Sequence, residues 1–481
     1  MAKGFLPYEV DQRLLLPPDL REWLPEGHLA LFVLDVVQTL DLSSILDVHL
    51  QKDVRGREGY DPRMMVGLVT YAYCVGLPSS RKIEKATYED VAFRVLTGNQ
   101  HPDHTSIAAF RKQHLAALAA LFMQVLRLCQ KAGLVKLGHV ALDGTKMQAN
   151  ASKHKAMSYG RMGETEKKLQ DEVNRLLAEA ERVDAVEDAQ YGKGQRGDEL
   201  PPELARRESR LKKIREAKAA LEAEARAEAQ AKAREAEEKL AERARQEAET
   251  GKKLGGRPPS VPDPGQAQPK EKAQRNFTDP DSRIMVDGAT KAFVQAFNAE
   301  IAVDANAQII VARDVTQRAN DKRELVSMAE QIRKNVGRLP DNLSADSGFF
   351  SAAAVIDPAL AHTNLLIPPD RQKHGGDSSM DGAGPTAESV PASTTAPVAD
   401  QMREKLRTEA GRRLYKQRKA IVEPVFGQFK DARGFRRFLL RGLHNVRYEF
   451  DLIALTHNLL KLFRSGWSPC LAAPTASVGL S

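Results

Sequence analysis

One long segment limits where this chain can form a globular core. Between Glu164 and Lys253 it consists mainly of alanine, glutamate, lysine and arginine, in runs such as EAKAALEAEARAEAQAKAREAEEKLAERARQEAE. These residues favour helix, and opposite charges three and four residues apart stabilise it further. Because apolar side chains are too few for a core, the segment predicts a helical arm or a coiled-coil hairpin, broken around the glycine-rich stretch YGKGQRGDELPPEL.

Two further segments are unsuited to a core because they are rich in proline and small residues. Residues 255–274, GGRPPSVPDPGQAQPKEKAQ, predict a linker that ends the helical insertion. The stretch HGGDSSMDGAGPTAESVPASTTAPV predicts a mobile loop over about residues 370–400.

The region from Pro18 to Val135 is predicted to be helical. Apolar residues recur at three- and four-residue spacing in LALFVLDVVQTL, PRMMVGLVTYAYCVGL and IAAFRKQHLAALAALFMQVLRLCQKAGL. Within it, short helices, a turn from Gly98 to Asp103 and a third helix are expected, with Thr105 or Ser106 as the N-cap. This pattern fits two structures, a helix-turn-helix-like unit and an ordinary helical bundle.

Charge favours a polyanionic partner. The 481-residue chain has a formal net charge of +8 and an isoelectric point near 9.2. Between Gln401 and Phe450, fourteen Lys and Arg stand against five Asp and Glu, an excess of nine. Such a basic patch is typical of proteins that bind nucleic acid. If the helix-turn-helix interpretation holds, Arg111 and Lys112 on its third helix are candidates for contact with a DNA end.

The remaining composition predicts a cytoplasmic protein without a membrane partner. Cys74, Cys129 and Cys470 are widely spaced and odd in number, which predicts neither a disulfide framework nor a zinc site. A reducing cytoplasm is therefore expected. The N-terminus has no long apolar run, and no stretch reaches the roughly 18 apolar residues that a membrane span needs.

Three acidic residues are candidates for a metal site. Asp143 follows the apolar run of VALDGTKMQAN, and Asp346 follows a short apolar approach in LSADSGFFS. Glu423 lies in the basic, helical-looking segment YKQRKAIVEPVFGQFK. Carboxylate oxygens suit Mg²⁺ or Mn²⁺, and two such ions can activate a nucleophile and stabilise the leaving oxygen of a phosphodiester.

The order of elements around these acids predicts an α/β domain with a mixed sheet. AEIAVD and QIIVARDVTQ alternate as two antiparallel strands joined near residues 304–307. A helix from Asp321 to Val336 and a further strand leading to Asp346 should follow. The long helical insertion therefore interrupts a single α/β domain.

Helical spacing predicts two faces for the segment around Glu423. At about 100° per residue, Arg412, Lys419 and Lys430 fall close to Glu423, whereas Leu414, Ile421, Val425 and Phe429 fall on the opposite face. Pro424 removes a backbone donor, so a kink or a new first turn is expected there. An amphipathic surface helix with ion pairs is the alternative interpretation of this pattern.

Seven stretches spread over nearly the whole chain carry a family resemblance. They are YDPRMMVGLVTYAYCVGLPSSRKIE, DVAFRVLTGNQHPDHTSIAAFR, LDGTKMQANAS, DPDSRIM, VTQRAND, ADSGFFS, and YKQR followed by VEPVFGQFK. Together they resemble DDE transposases of bacterial insertion sequences, enzymes with an RNase H-like catalytic core.

The resemblance implies roles for particular residues. Asp143, Asp346 and Glu423 would be the catalytic, metal-binding triad, with two Mg²⁺ or Mn²⁺ ions. Tyr415, Arg418 and Lys430 would match the family's tyrosine, arginine and lysine signature, which contacts DNA near the scissile phosphate. The family places three residues between this arginine and the glutamate, whereas four separate Arg418 from Glu423. Either Arg418 or Lys419 therefore fits the role, and the helical angles favour Lys419.

The resemblance also implies an organisation. The predicted parts are an N-terminal helical DNA-end-binding domain (1–133), an RNase H-like catalytic domain in two pieces (134–160 and 276–465), a helical or coiled-coil insertion with its linker (161–275), and a C-terminal tail (466–481). The insertion would be a spacer or dimerisation helix, or it would grip DNA directly.

The implied function is DNA transposition. Metal-dependent strand cleavage at the element's terminal repeats would be followed by strand transfer into target DNA, by a homodimer on DNA in the bacterial cytoplasm, associated with the nucleoid when bound. Two alternatives are a transposase-derived DNA-binding protein without catalysis and a stand-alone RNase H-like nuclease.

Overall fold

The computed structural model describes residues 19–50, 59–191, 202–251, 253, 255–288, 290–318, 321–370 and 396–469. Contacts divide the chain into two compact units, one formed by residues 1–147 and 298–481 and the other by residues 148–297. Most of the mobile loop predicted over 370–400, the predicted tail from residue 470 and the helix break at 192–201 lie outside the described residues.

The part of the chain before the first strand is helical, as its apolar spacing predicts. Its α-helices are α1 (Leu29–Thr39), α2 (Ser43–Leu50), α3 (Pro62–Cys74), α4 (Ser80–Glu89), α5 (Val91–Leu96), α6 (His104–Gln113) and α7 (Leu115–Lys131). The helix α6 begins at His104, and its N-cap is Asp103. The prediction that Thr105 or Ser106 caps this helix is wrong, because the Asp103 carboxylate accepts hydrogen bonds from the backbone amides of both residues, each at 2.9 Å.

The rest of the chain contains both strands and helices. In order they are β1 (His139–Gln148), β2 (Ala156–Ser158), α8 (Tyr159–Tyr191), α9 (Pro202–Thr250), β3 (Gln274–Asn276), β4 (Arg283–Val286), β5 (Phe293–Asp304), β6 (Ile309–Thr316), α10 (Glu324–Val336), β7 (Asn342–Ser344), α11 (Ala352–Val355), β8 (Asn364–Leu366), α12 (Ala396–Arg407), α13 (Glu409–Gly427) and α14 (Leu443–Arg464). A π-helical turn, Gln428–Ala432, follows α13 directly. No helix among the described residues is long and apolar enough to cross a membrane.

The first unit contains a mixed sheet in the order β6-β5-β1-β7-β8. The strands β1, β7 and β8 run parallel, whereas β5 and β6 pair antiparallel from Asn298 with Thr316 to Asp304 with Ile309. The prediction of two antiparallel strands joined near residues 304–307 is therefore confirmed. The strand β1 is central, and its residues Val140, Ala141 and Leu142 are fully buried.

The helix α14 joins the N-terminal helices to this sheet. Its Asn458 side chain accepts from the Ile310 amide at 2.8 Å and donates to the Ile310 carbonyl at 2.9 Å, which continues the hydrogen bonding of β6 into the helix. The Cys129 thiol of α7 lies 3.8 Å from the Asn458 carbonyl. The boundary predicted at residue 133 consequently falls inside one compact unit.

The second unit is built on two long helices. Packing of α8 against α9 buries Met162 and Leu169 against Leu211 and Ile214. Beyond this short core, pairs one turn apart such as Lys232 with Glu228 line the surface of α9, as the charge pattern predicts. The short strands β2 and β3 pair antiparallel, and β4 pairs antiparallel with residues 293–296 of β5.

Gly76 lies where α3 meets the segment before α14. Its φ is +76°, and a Cβ there would lie 2.5 Å from the Arg433 carbonyl oxygen. The Arg433 guanidinium is buried and donates to Thr456 Oγ1 at 2.7 Å. The rings of Tyr73 and Phe435 stack nearby with centroids 5.5 Å apart. Only glycine fits this close approach of two backbones.

We expect Gly76→Ala to destabilise the protein more than Gly133→Ala. Gly133 has a similar φ of +72°, but a Cβ there would meet nothing within 4 Å. The Gly133 variant should lose about 1 kcal/mol of unfolding free energy from left-handed backbone strain. The Gly76 variant should lose about 1–3 kcal/mol more, because the Arg433 backbone must shift. Urea unfolding of both variants measures the difference, and equal losses would contradict the packing described here.

Candidate active site

Two aspartates lie close together on neighbouring parallel strands of the sheet. Ala141 of β1 pairs with Ser344 of β7, and Asp143 and Asp346 each follow two residues later. Asp143 lies within β1, which continues to Gln148, whereas Asp346 lies just beyond the end of β7. Asp143 Oδ1 accepts from the Gly144 amide at 2.9 Å, and Asp346 Oδ1 accepts from the Gly348 amide at 2.9 Å. Because β1 and β7 run parallel, this register brings the two carboxylates into one place.

The charge state of Asp143 reflects this position. The pKa of Asp143 is raised to about 6, first by burial and also by the negative charge of Asp346, against the opposing effect of the Arg418 guanidinium. The one guanidinium therefore does not fully offset burial and the neighbouring carboxylate.

The cation paired with Asp143 is the Arg418 side chain of α13. Arg418 Nη1 donates to Asp143 Oδ2 at 3.0 Å, with only 10% and 19% of the two side chains exposed. The Arg418 guanidinium lies 5.9 Å from the centre of the Tyr415 ring, and burial raises the Tyr415 pKa. Arg418, one of the two candidates for the signature arginine, thus contacts the first aspartate, and Tyr415 lies next to Arg418.

The other residues of α13 lie on a different face. Glu423, Lys419 and Arg412 are exposed, whereas Ile421 and Val425 are buried. The two faces of the helix agree with the helical angles. Arg418, and not Lys419, is the residue that contacts Asp143.

Lys430, in the π-helical turn, contacts β1 just beyond Asp143. Its ammonium group donates to Thr145 Oγ1 and, at 3.1 Å, to the Lys146 carbonyl. The lysine predicted to belong to the signature therefore contacts the strand that carries the first aspartate, two and three residues beyond it.

Arg111 and Lys112 of α6 have different environments. Arg111 is 8% exposed, and its guanidinium donates to the Pro78 carbonyl at 2.6 Å and to Ser80 Oγ at 3.2 Å. It holds the start of α4 and is not presented to a DNA end, which corrects the role predicted for it. Lys112 is exposed.

The two aspartates fit a hard divalent cation by ligand type and by charge. Both supply carboxylate oxygens, and their mutual repulsion would be relieved by a cation between them. In the part of the chain that the structure describes, no three His, Cys, Asp or Glu side chains lie close enough to share a metal ion. Glu423 therefore does not join the two aspartates in a preformed cluster.

Two segments of the chain match models of known families. Residues 18–113 match the family described as Transposase domain (DUF772), and residues 387–463 match the family described as Transposase DDE domain. The two matches support a DDE-type transposase of an insertion sequence. No curated protein and no solved structure matches it.

The second match places part of the site within the transposase DDE segment. Residues 387–463 include Tyr415, Arg418, Glu423 and Lys430, whereas Asp143 and Asp346 lie outside both matched ranges. The register of β1 and β7 joins the two aspartates to each other, and the ion pair between Arg418 and Asp143 joins them to the matched segment.

A polar cluster next to the aspartates was not predicted from the sequence. Lys146 Nζ donates to Asn298 Oδ1 at 2.7 Å and lies 3.9 Å from Asp321 Oδ1. Asn298 Nδ2 donates to Glu300 Oε1 at 2.7 Å and also to Asp321. Lys146 and Asp321 lie in LDGTKMQANAS and VTQRAND, two of the stretches that carry the family resemblance, and this was the available signal. Asn298 and Glu300 gave no such signal.

Close packing in the transposase joins this cluster to the aspartates. A Cβ on Gly348 would lie 3.0 Å from Asp346 Oδ1 and 3.4 Å from Asp321 Oδ2. A Cβ on Gly144 would lie 3.4 Å from Asp321 Oδ1. The two glycines, which follow Asp143 and Asp346 closely in the chain, thus leave room for Asp321 beside them.

Glu300 makes the stability of the transposase depend on pH. Its side chain is fully buried, and burial, followed by the negative charges of Asp321 and Glu324, raises its pKa to about 9 from an ordinary value of 4.5. The folded state therefore holds a proton that the unfolded state releases above pH 4.5. The resulting stability is complete below pH 4.5 and is lost as the pH rises towards 9.

We expect Glu300→Gln to stabilise the transposase at neutral pH. The gain in unfolding free energy should be near zero at pH 4.5 and should grow with pH to about 3 kcal/mol at pH 7, at about 1.4 kcal/mol per unit. Denaturant unfolding from pH 5 to pH 8.5 measures it. The control is Glu330→Gln at an exposed position of α10. A gain that does not grow with pH would show that Glu300 is ionised in the folded protein.

Proposed function

We propose that this transposase cleaves DNA strands at the ends of an insertion sequence and transfers them into target DNA. The observation that carries the proposal is the pair Asp143 and Asp346, brought together by adjacent parallel strands, with Arg418 from the transposase DDE segment on Asp143. A buried acidic site flanked by cations suits phosphoryl transfer, in which phosphate charge must be held in place while bonds are exchanged.

We also propose that the sheet of the first unit is an RNase H-like core. Two features support this assignment. The strand bearing the first acid is central, and its parallel neighbour bears the second acid. The helix after the sheet then carries the third acid of the proposed triad, Glu423.

The proposed metal ligands are Asp143, Asp346 and Glu423. Mg²⁺ or Mn²⁺ ions, two of them in the proposed mechanism, would supply Lewis-acid chemistry at the phosphate. The chain's own residues then bind and orient the DNA. Arg418 and Lys430 lie against β1 at the first aspartate, where a scissile phosphate would be held.

Exposed cations of the transposase would hold the rest of the DNA. Arg412 and Lys419 lie on the exposed face of α13, and Lys112 is exposed on α6. Contacts of this kind add affinity by neutralising phosphates. The proposed partners are the element's terminal repeats and target DNA, bound by a homodimer in the bacterial cytoplasm.

Cleavage and joining of a duplex carrying the element's own ends test this function. We expect both reactions with Mg²⁺ or Mn²⁺, and neither with EDTA or with Glu423→Gln, whereas DNA binding persists because it depends mainly on Lys and Arg. Binding without cutting at every metal tried would identify a DNA-binding protein descended from a transposase. Cutting without joining would identify a stand-alone nuclease.

Arg418→Gln and Lys419→Gln separate the two candidates for the signature arginine. At saturating DNA, Arg418→Gln should slow cleavage by about 10²-fold or more, because a buried cation at the reacting phosphate is lost. Lys419→Gln should leave the rate within about threefold, because an exposed lysine adds mainly to affinity. Thermal unfolding shows whether each variant is folded. The reverse order of effects would assign the role to Lys419.

A further inference from the structure

A basic hollow lies within the second unit. It has a volume of about 520 Å³ and is formed by the residues around β2, the first turn of α8, α9 and the residue after β3. Four of the side chains that line it are cations, Lys155, Arg161, Arg210 and Lys213, and Phe277 adds an aromatic surface. Among the residues that the structure describes, no Asp or Glu lines it.

None of the four cations has an acidic partner. Among the residues that the structure describes, neither an ion pair nor a side-chain hydrogen bond joins any of them to a carboxylate. Several other cations of the same helices are paired. Glu166 forms ion pairs with Arg215 and Lys218, each at 3.0 Å, and Glu172 forms one with Arg207 at 3.0 Å.

Four cations without an acidic partner around one hollow indicate an anion-binding site. The sequence of α8 and α9 contains many glutamates, and neutralising pairs form elsewhere on these helices. Four like charges around one hollow repel each other, and a bound anion removes that repulsion. The four side chains are exposed, so an incoming ligand reaches them without any rearrangement of the core.

The shape and lining of the hollow suit a phosphodiester backbone. Arginine and lysine recognise phosphate oxygens, arginine through a planar pair of donors. Phe277 and the half-buried Met157 offer an apolar surface for a sugar or for the face of a base. Several cations spread around the rim match a chain of phosphates better than one small ion.

We propose that this basic hollow is a second DNA-binding site of the transposase, which grips the phosphate backbone through Lys155, Arg161, Arg210 and Lys213. The inference rests on the proposed function, since DNA is the substrate there. It assigns the helical insertion a direct part in holding DNA, in place of a spacer role.

The test compares two variants with the same change of charge. The site variant is Lys155→Gln, Arg161→Gln, Arg210→Gln and Lys213→Gln. The control variant is Arg226→Gln, Lys232→Gln, Arg234→Gln and Lys239→Gln, at exposed positions further along α9. Binding of the full-length protein to a fluorescent duplex carrying the element's ends is measured by anisotropy in EDTA, over a series of NaCl concentrations. Circular dichroism and thermal unfolding verify that both variants fold.

We expect the site variant to bind at least about tenfold more weakly than wild type at moderate salt. The slope of log K against log salt should fall by up to about 3.6, since each lost phosphate contact removes about 0.9. The control variant should stay within about threefold of wild type.

Three outcomes would overturn the inference. Equal weakening of both variants would show a general charge effect and no site. Unchanged binding by the site variant, with normal binding by wild type, would contradict only the DNA-binding role of the hollow and would leave the proposed function intact. If the site variant loses binding of inorganic phosphate or a mononucleotide but keeps the DNA affinity of wild type, the hollow is a site for a small anion. Failure of wild type itself to bind the duplex would instead contradict the proposed function.

Discussion

The ion pair between Arg418 and Asp143 determines how α13 sits on the sheet. A buried ion pair contributes little net stability, but losing one partner costs about 3–5 kcal/mol because the other charge stays buried. The pair therefore fixes position more than it adds stability. Two hydrogen bonds of the same helix also fix its position. Gln417 Oε1 lies 3.4 Å from His139 Nδ1, and the Ala420 carbonyl accepts from Gln308 Nε2 at 3.0 Å. A matched transposase segment is thus held against β1.

This seating limits how the proposed triad can form. Arg418 and Glu423 are five residues apart, about 140° around a regular helix, so both cannot face Asp143 from the same straight helix. Glu423 is exposed where Arg418 is buried. Under the proposed chemistry α13 must turn or deform to bring Glu423 inward, and two features next to it make deformation less costly. Pro424 removes one helical hydrogen bond, and a π-helical turn begins at Gln428.

The sequence predicted the faces of α13 but not the direction in which they point. The helical angles placed Ile421 and Val425 on the packed side, and both are buried. The same angles favoured Lys419 only under the assumption that Asp143 lies beside Glu423. Asp143 instead lies under the packed face, and periodicity along one helix carries no information about what covers it. The cluster of Asn298 and Glu300 was equally out of reach, because a central strand of alternating polar residues does not reveal which strand end its side chains approach.

The distribution of charge in the second unit also depends on packing that the sequence pattern does not reveal. Composition predicted helices stabilised by opposite charges, and pairs such as Arg215 with Glu166 agree with it. It did not predict which cations would be left without partners, because that depends on where β2 and the residues after β3 meet the two helices. Packing supplies that information by setting Lys155 beside Arg161 and Arg210 around one hollow. Four like charges around one hollow repel each other, and the DNA phosphates proposed to bind there would relieve that repulsion.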